Sequence, residues 1–223
     1  MDLIEKLDST ILITGAGGFL GQELAAALLE SEPTAYLVLA DVVTREKNHH
    51  HLSRSCVDKG RHSLLQPTFA AWLKVNLDSF RLILDNLRHN QRGVKVIFSS
   101  SLAVYGPSQS GRVTGEKTIP IPQSSYGAEK LIVETLVNDF SRRGLIDGRI
   151  CRLPTVIVRP GVPSAAASSF ASGIDLEMWV ASPKNVVKNL VAIKDVPKDK
   201  FGAAQGRTVN LPGQTVTVRE ILE

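Results

Sequence analysis

Residues 9 to 31, STILITGAGGFLGQELAAALLES, pass from a short apolar run through a glycine cluster into a stretch that places Leu20, Leu24 and Leu28 at helical spacing. The segment therefore reads as strand, tight turn and helix. Residues 35 to 43, AYLVLADVV, follow as a second strand. Its unbroken apolar character suits a parallel sheet covered on both faces. A βαβ unit of this kind assigns the chain to the α/β class.

Gly15, Gly18 and Gly21 fall in the turn between the first strand and the helix. There the backbone N–H groups and the positive end of the helix dipole suit a pyrophosphate, and glycine lets it approach. A glycine cluster alone is equally an ordinary turn. Here Asp41 closes the next strand twenty positions after Gly21, where an acid can accept hydrogen bonds from both ribose hydroxyls and repel a 2′-phosphate. The spacing points to NAD rather than NADP, although Arg45 lies close enough to weaken that preference and a turn aspartate is the alternative.

The alternation continues. Residues 68 to 89 have helical periodicity, 93 to 101 (GVKVIFSSS) form a strand ending in serines, and 123 to 144 form a helix closed by glycine. Residues 148 to 161 supply a further strand, after which Pro, Gly, Ala and Ser dominate to Gly173 as loop or lobe. Residues 182 to 194 read as a helix capped by Ser182 with Pro183 in its first position, and 207 to 213 as strand and turn. TVRE, 217 to 220, is a capping box that predicts a new helix, yet the sequence ends at Glu223, so a carboxy-terminal truncation is expected.

A length of 223 residues allows one sizeable core, or one domain with a small lobe. A hydrophobic fraction of 43% with 22% charged residues is that of an ordinary globular protein. The net charge of +4 comes from cations mixed with acids, so no nucleic-acid partner is expected. Cys56 and Cys151 give no disulfide framework, the amino terminus MDLIEKLD is no signal peptide, and no apolar run would span a membrane. A cytoplasmic protein without a membrane partner is expected.

Tyr126 and Lys130, at i and i+4, share one helix face. Ser101 ends the preceding strand, and ligands of open α/β sheets sit at the carboxyl ends of strands. The three residues could converge on one substrate hydroxyl. A tyrosine is a weak base at neutral pH, but a neighbouring ammonium and an oxidised nicotinamide stabilise its phenolate. Lys130 would tune Tyr126, and Ser101 would hold the reacting oxygen.

The stretches TGAGGFLG, VNLDSFRLI, IFSSSLAVYG and SSYGAEK together resemble the glycine turn, helix asparagine, serine strand and YxxxK motif of extended short-chain dehydrogenases/reductases, the epimerase/dehydratase group. That resemblance implies a Rossmann-like doubly wound parallel sheet with a small carboxy-terminal substrate lobe. It divides the chain into an NAD-binding domain, residues 1 to 153, and a partial lobe, 154 to 223. It also implies a catalytic set of Ser101, Tyr126 and Lys130. The cofactor contacts would be Gly15, Gly18, Phe19, Leu20, Gly21, Asp41, Asn76, Tyr126, Lys130, Pro154 and Val156. Within the group, residues 140 to 173 and the segments WVASPKNVV and NLPGQTVTVREIL are most similar to D-erythronate dehydrogenases, which are taken to oxidise the C2 hydroxyl of a four-carbon sugar acid with NAD. The implied partner is a small sugar acid, with Ala165 to Ser169 lining its side, and a homodimer is compatible with this reading.

Between Asp41 and Asn76 the sequence is about half as long as the family pattern, which places two strands and a helix there. Residues 45 to 69 show neither apolar alternation nor an apolar run. The sheet is thus expected to be shortened between residues 42 and 75. His49 to His51, Cys56 and His62 lack the spacing of a zinc site, and no metal is expected. Two alternatives stand beside the dehydrogenase: a sugar-nucleotide epimerase or dehydratase, and a non-catalytic shortened remnant.

Overall fold

The computed structural model describes residues 9–41, 55–59, 73–107, 113–157, 177–201 and 206–222. The chain divides into two compact units, Met1–Leu65 and Gln66–Glu223. Among the described residues, no helix is long and apolar enough to cross a membrane.

The first unit contains β1 (Thr10–Thr14), α1 (Phe19–Ser31), β2 (Tyr36–Asp41) and β3 (Ser55–Lys59). Its three strands are parallel in the order β1-β2-β3, with Thr10 opposite Tyr36 and Thr14 opposite Ala40. Ile13, Leu37 and Leu39 of the strands are buried, as are Ala25 and Leu28 of the helix. The βαβ reading of the first forty residues therefore holds.

β3 is a correction to the sequence reading, which found no strand pattern in residues 45 to 69. Among the described residues, Ser55–Lys59 pairs with β2 only, at one edge of the three strands. An edge strand draws its hydrogen bonds from one neighbour, and polar residues are common there, so no apolar alternation announces it.

Among its described residues, the second unit begins with a helical segment in which Lys74–Asp78 is π-helical and continues as α2 (Ser79–Asn90). Then come β4 (Lys95–Ser101), a 3₁₀ turn at Leu102–Val104, α3 (Ser125–Arg142), β5 (Asp147–Leu153) and β6 (Thr155–Val156). β7 (Glu177–Ala181), α4 (Pro183–Asp195), a 3₁₀ turn at Lys198–Lys200, β8 (Thr208–Asn210), β9 (Gln214–Thr217) and α5 (Val218–Leu222) complete it. One sheet is parallel in the order β4-β5-β8. The other, β6-β7-β9, has one parallel and one antiparallel pair.

Leu84 of α2, Phe98 of β4, Val133 and Val137 of α3, Ile146, and Ile150 of β5 form the core of this unit. β5 is buried along its whole length although it carries Asp147, Arg149 and Arg152. The charges are tolerated because each is paired. Arg149 donates to Asp147 at 2.8 Å and to the carbonyl of Ile193, so it also caps the carboxyl end of α4, where a cation is favoured.

The helix ends follow the local rules read from the sequence. Ser182 accepts from the N–H of Asn185 at 3.2 Å. The capping box is reciprocal: Glu220 N–H donates to Thr217 Oγ1 at 3.2 Å, and Thr217 N–H donates to Glu220 Oε2 at 2.7 Å. Gly144, with φ of +68°, closes α3. Its N–H bonds to the carbonyl of Ser141 and that of Leu145 to Phe140, both at 2.9 Å, the two bonds of a Schellman motif.

Candidate active site

In the first unit, the glycines make a cradle that no larger residue could form. Gly15 has a φ of +69°, and a Cβ on Gly21 would lie 2.3 Å from the carbonyl oxygen of Gly15. Gly18 is the N-cap of α1; no side chain caps this end and no acidic residue stands in its first turn. The amides of Phe19 and Leu20 therefore open the helix without a side-chain acceptor, an arrangement that suits an anion. These residues fit the pyrophosphate of a dinucleotide.

Asp41 stands at the end of β2 and grips the same turn, because its Oδ2 accepts from the N–H of Gly17 at 2.8 Å. The amide of Ala16 donates to the carbonyl of Ala40 at 3.2 Å, a second tie between turn and strand. The sequence singled out Asp41 for ribose; its structural part in holding the glycine turn was not anticipated.

In the second unit, Ser101 ends β4 and its Oγ accepts from the N–H of Ala103 at 3.2 Å, which starts the 3₁₀ turn. That turn abuts the first turn of α3, where a Cβ on Gly127 would lie 2.1 Å from the carbonyl oxygen of Ala103. Ser124 caps α3 by accepting from the N–H of Gly127 at 3.1 Å. Glycine at 127 thus lets the strand end that carries Ser101 meet the helix start that carries Tyr126.

Tyr126 is 39% exposed, so its ring can meet a ligand. The ammonium of Lys130 lies 5.6 Å from the Tyr126 ring centroid and 4.8 Å from that of Phe98, and donates to the carbonyl of Ser99 at 2.9 Å. Burial brings the Lys130 pKa down to about 8, against the opposing pull of Glu129 and Glu134. The lysine is therefore fixed beside the tyrosine by the strand that ends in Ser101.

Pro154 follows Leu153, the residue opposite Ser101 in the β4–β5 ladder, and so begins the chain segment just beyond that strand end. Val156 lies buried in β6. Asn76 lies in the π-helical turn and donates through Nδ2 to Glu129 Oε2 at 2.7 Å. Arg45, the segment from Ala165 to Ser169, and the histidines at 49 to 51 and 62 lie outside the described residues. Among the described residues, no cluster of three metal-ligating side chains occurs.

Two buried acids of α3 escaped the sequence reading. Glu129 and Glu134 are each 2% exposed. Glu134 forks to Arg152, with Nε to Oε1 at 2.9 Å and Nη2 to Oε2 at 2.6 Å, and accepts from Ser100 Oγ at 2.5 Å. Arg152 also donates to the hydroxyl of Tyr105 at 2.7 Å, and the Tyr105 hydroxyl lies 3.0 Å from Asn210 Oδ1. The network fastens the residue before Ser101 to helix α3 and strand β5. Its signal was present in the sequence as acids on the helix face that also carries Val133 and Val137. Cys151, by contrast, is buried, and its thiol is pushed up to about 12, so it is no nucleophile.

The model of the NAD dependent epimerase/dehydratase family matches residues 67–181, a span that contains Asn76, Ser101, Tyr126 and Lys130. A D-erythronate dehydrogenase of Cupriavidus necator is 36% identical over 261 aligned positions, covering 96% of this chain and 80% of that protein. The alignment is longer than the 223 residues here, so the relative carries additional residues within the matched span. A D-erythronate dehydrogenase of Haemophilus influenzae is 32% identical, covering 95% of this chain and 80% of its own. Among solved structures, the nucleoside-diphosphate-sugar epimerase from Agrobacterium tumefaciens superposes with a TM-score of 0.80 at 27% identity, covering 95% of this chain and 75% of that one. The likeness extends over a Rossmann-type α/β fold, as the sequence led one to expect. By this match to the family model and by identity to relatives spanned over most of their length, the chain belongs to the NAD dependent epimerase/dehydratase family.

Proposed function

We propose that the chain is an NAD-dependent oxidoreductase that oxidises the C2 hydroxyl of a small sugar acid of the D-erythronate kind. The observation that carries this reading is the placement of Lys130, held by the Ser99 carbonyl at 2.9 Å with its ammonium 5.6 Å from the Tyr126 ring. A fixed cation beside a phenol favours the phenolate, the form a base needs. Tyr126 removes the proton from the substrate hydroxyl, and Ser101 donates a hydrogen bond that orients the same oxygen. NAD, when bound, would supply the hydride acceptor. The amides of Phe19 and Leu20 would hold its pyrophosphate and Asp41 its ribose, and Pro154 and Val156 would flank the nicotinamide. The names of the two relatives support the sugar acid as substrate.

The test is NAD reduction by the purified chain with D-erythronate and related sugar acids, repeated with Tyr126→Phe. Turnover that Tyr126→Phe reduces by about 100-fold or more is expected for loss of the base. Unchanged turnover in that variant removes Tyr126 from the role. A second reading, a sugar-nucleotide epimerase, is favoured by the superposition on the Agrobacterium enzyme. Turnover of UDP- or GDP-sugars where sugar acids give none would place it first.

A further inference from the structure

Glu129 is buried, its carboxylate is only half used, and the reaction outlined above gives it no task. Its Oε2 accepts from Asn76 Nδ2 at 2.7 Å, while its Oε1 has no hydrogen-bond partner among the described residues. A buried carboxylate with one neutral amide for company is costly, and such a group persists where something else makes use of it. The next residue in the chain is the cation Lys130, whose ammonium is held by one carbonyl and two aromatic faces, with no ion-pair partner among the described residues.

We propose that Glu129 is a positioning residue of the Ser101, Tyr126 and Lys130 set: anchored by Asn76, its buried carboxylate is the fixed counter-charge that keeps the Lys130 ammonium charged beside Tyr126. The proposal rests on the assignment of Tyr126 as base. The charges around Lys130 single out Glu129. Glu134, on the same helix, spends its charge on the Arg152 fork from β5. Arg149, also on β5, is paired with Asp147. The π-helical turn packed against α3 offers Lys74 and Asp78, both exposed and therefore screened by water. β4 contributes the Ser99 carbonyl and the Phe98 ring, which are neutral. Among the described residues, Glu129 is left as the buried acid without an ion-pair partner. Its pull on Lys130 is upward, ahead of that of Glu134, and opposes the desolvation that lowers the lysine's pKa.

The anchoring by Asn76 makes the arrangement geometric as well as electrostatic. The π-helical turn Lys74–Asp78 carries Asn76 to the buried side of α3, and the amide then fixes which way the carboxylate points. A counter-charge with a fixed direction sets the lysine's protonation without needing to touch it.

The experiment measures the rate of Lys130 acetylation by acetic anhydride against pH, read by peptide mass spectrometry, in the full chain without substrate. The native protein is expected to give a midpoint at about 8. Glu129→Gln is expected to move it downward by ~0.5 pH unit or more, as loss of a nearby opposite charge requires. Asp139→Asn, which alters an exposed acid of the same helix, is expected to leave it in place. Should the amide at 129 prevent folding, Glu129→Leu, which buries no polar atom of its own and frees only the half-buried Asn76 amide, carries the same expectation. A folded variant at 129 with the native midpoint overturns the proposal. Because labelling needs neither NAD nor turnover, that failure is distinct from the failure of Tyr126 as base, which the Tyr126→Phe assay reports.

Discussion

The carbonyl oxygen of Ala103 stands 2.1 Å from the place a Cβ on Gly127 would occupy. This approach seats the 3₁₀ turn that follows Ser101 on the first turn of the helix that carries Tyr126 and Lys130. Intrinsic helix propensity alone would make alanine at 127 better than glycine by about 1 kcal/mol. The contact is with backbone, which cannot swing aside, so the steric term decides the sign.

Gly127→Ala is therefore expected to destabilise the fold by about 1–3 kcal/mol in urea denaturation, the range for forcing atoms into a packed site. Because the helix start would shift relative to Ser101, turnover should fall by more than nucleotide affinity does. A variant as stable as the native chain would show that the turn is not seated on the helix.

Lys130 gives a pH dependence with two opposite readouts. Its folded pKa of about 8 lies below its ordinary value of 10.5. Between these values the unfolded chain binds more protons, so this group's contribution to stability rises with pH over that window. Activity moves the other way, since the tuning charge is lost as pH climbs through about 8. Comparing kcat/KM and denaturation midpoints of the native chain and Lys130→Met from pH 7 to about pH 10 isolates both effects. A pH profile flat through this window, once normalised to Lys130→Met, would contradict the placement of the lysine.

The Glu134–Arg152 fork predicts strong non-additivity. Removing one partner strands a buried charge and is expected to cost about 3–5 kcal/mol, as in Glu134→Gln or Arg152→Met. The double variant should cost clearly less than the two single losses added together. A double-mutant cycle in urea reads this directly, and simple additivity would mean that the pair does not act as a unit.

Asp41, the proposed ribose acceptor, also holds the glycine turn. Asp41→Ala removes the acceptor of the Gly17 N–H as well as the proposed ribose contact. Hydrogen bonds to a charged group are worth about 1.5–3 kcal/mol, so NAD affinity should weaken by roughly 10–150-fold. Calorimetric titration with NAD and NADP checks it, and unchanged NAD affinity would remove Asp41 from the site.

Much of the fold was legible because it follows local rules. The glycine spacing at 15, 18 and 21, the apolar run of 36 to 41 and the caps at Ser182 and Thr217 each specify their own few residues. β3 was not legible, because an edge strand such as SCVDK is defined by the neighbour it pairs with. The π-helical turn at Lys74–Asp78 looks like ordinary helix in the sequence, since its wider turn leaves little mark on apolar spacing.

The sequence by itself determined the candidate residues: Tyr126 and Lys130 one turn apart, a serine at a strand end, and an acid after the second strand. These rest on spacing along the chain, which backbone geometry converts to position without further information. Only the tertiary structure decided what holds them. Glu129 meets Asn76 across 53 positions of sequence, and Glu134 meets Arg152 across 18. Burial makes those acids consequential, because a carboxylate's influence depends on how much water screens it, and only the packing of α3 against its neighbours fixes that.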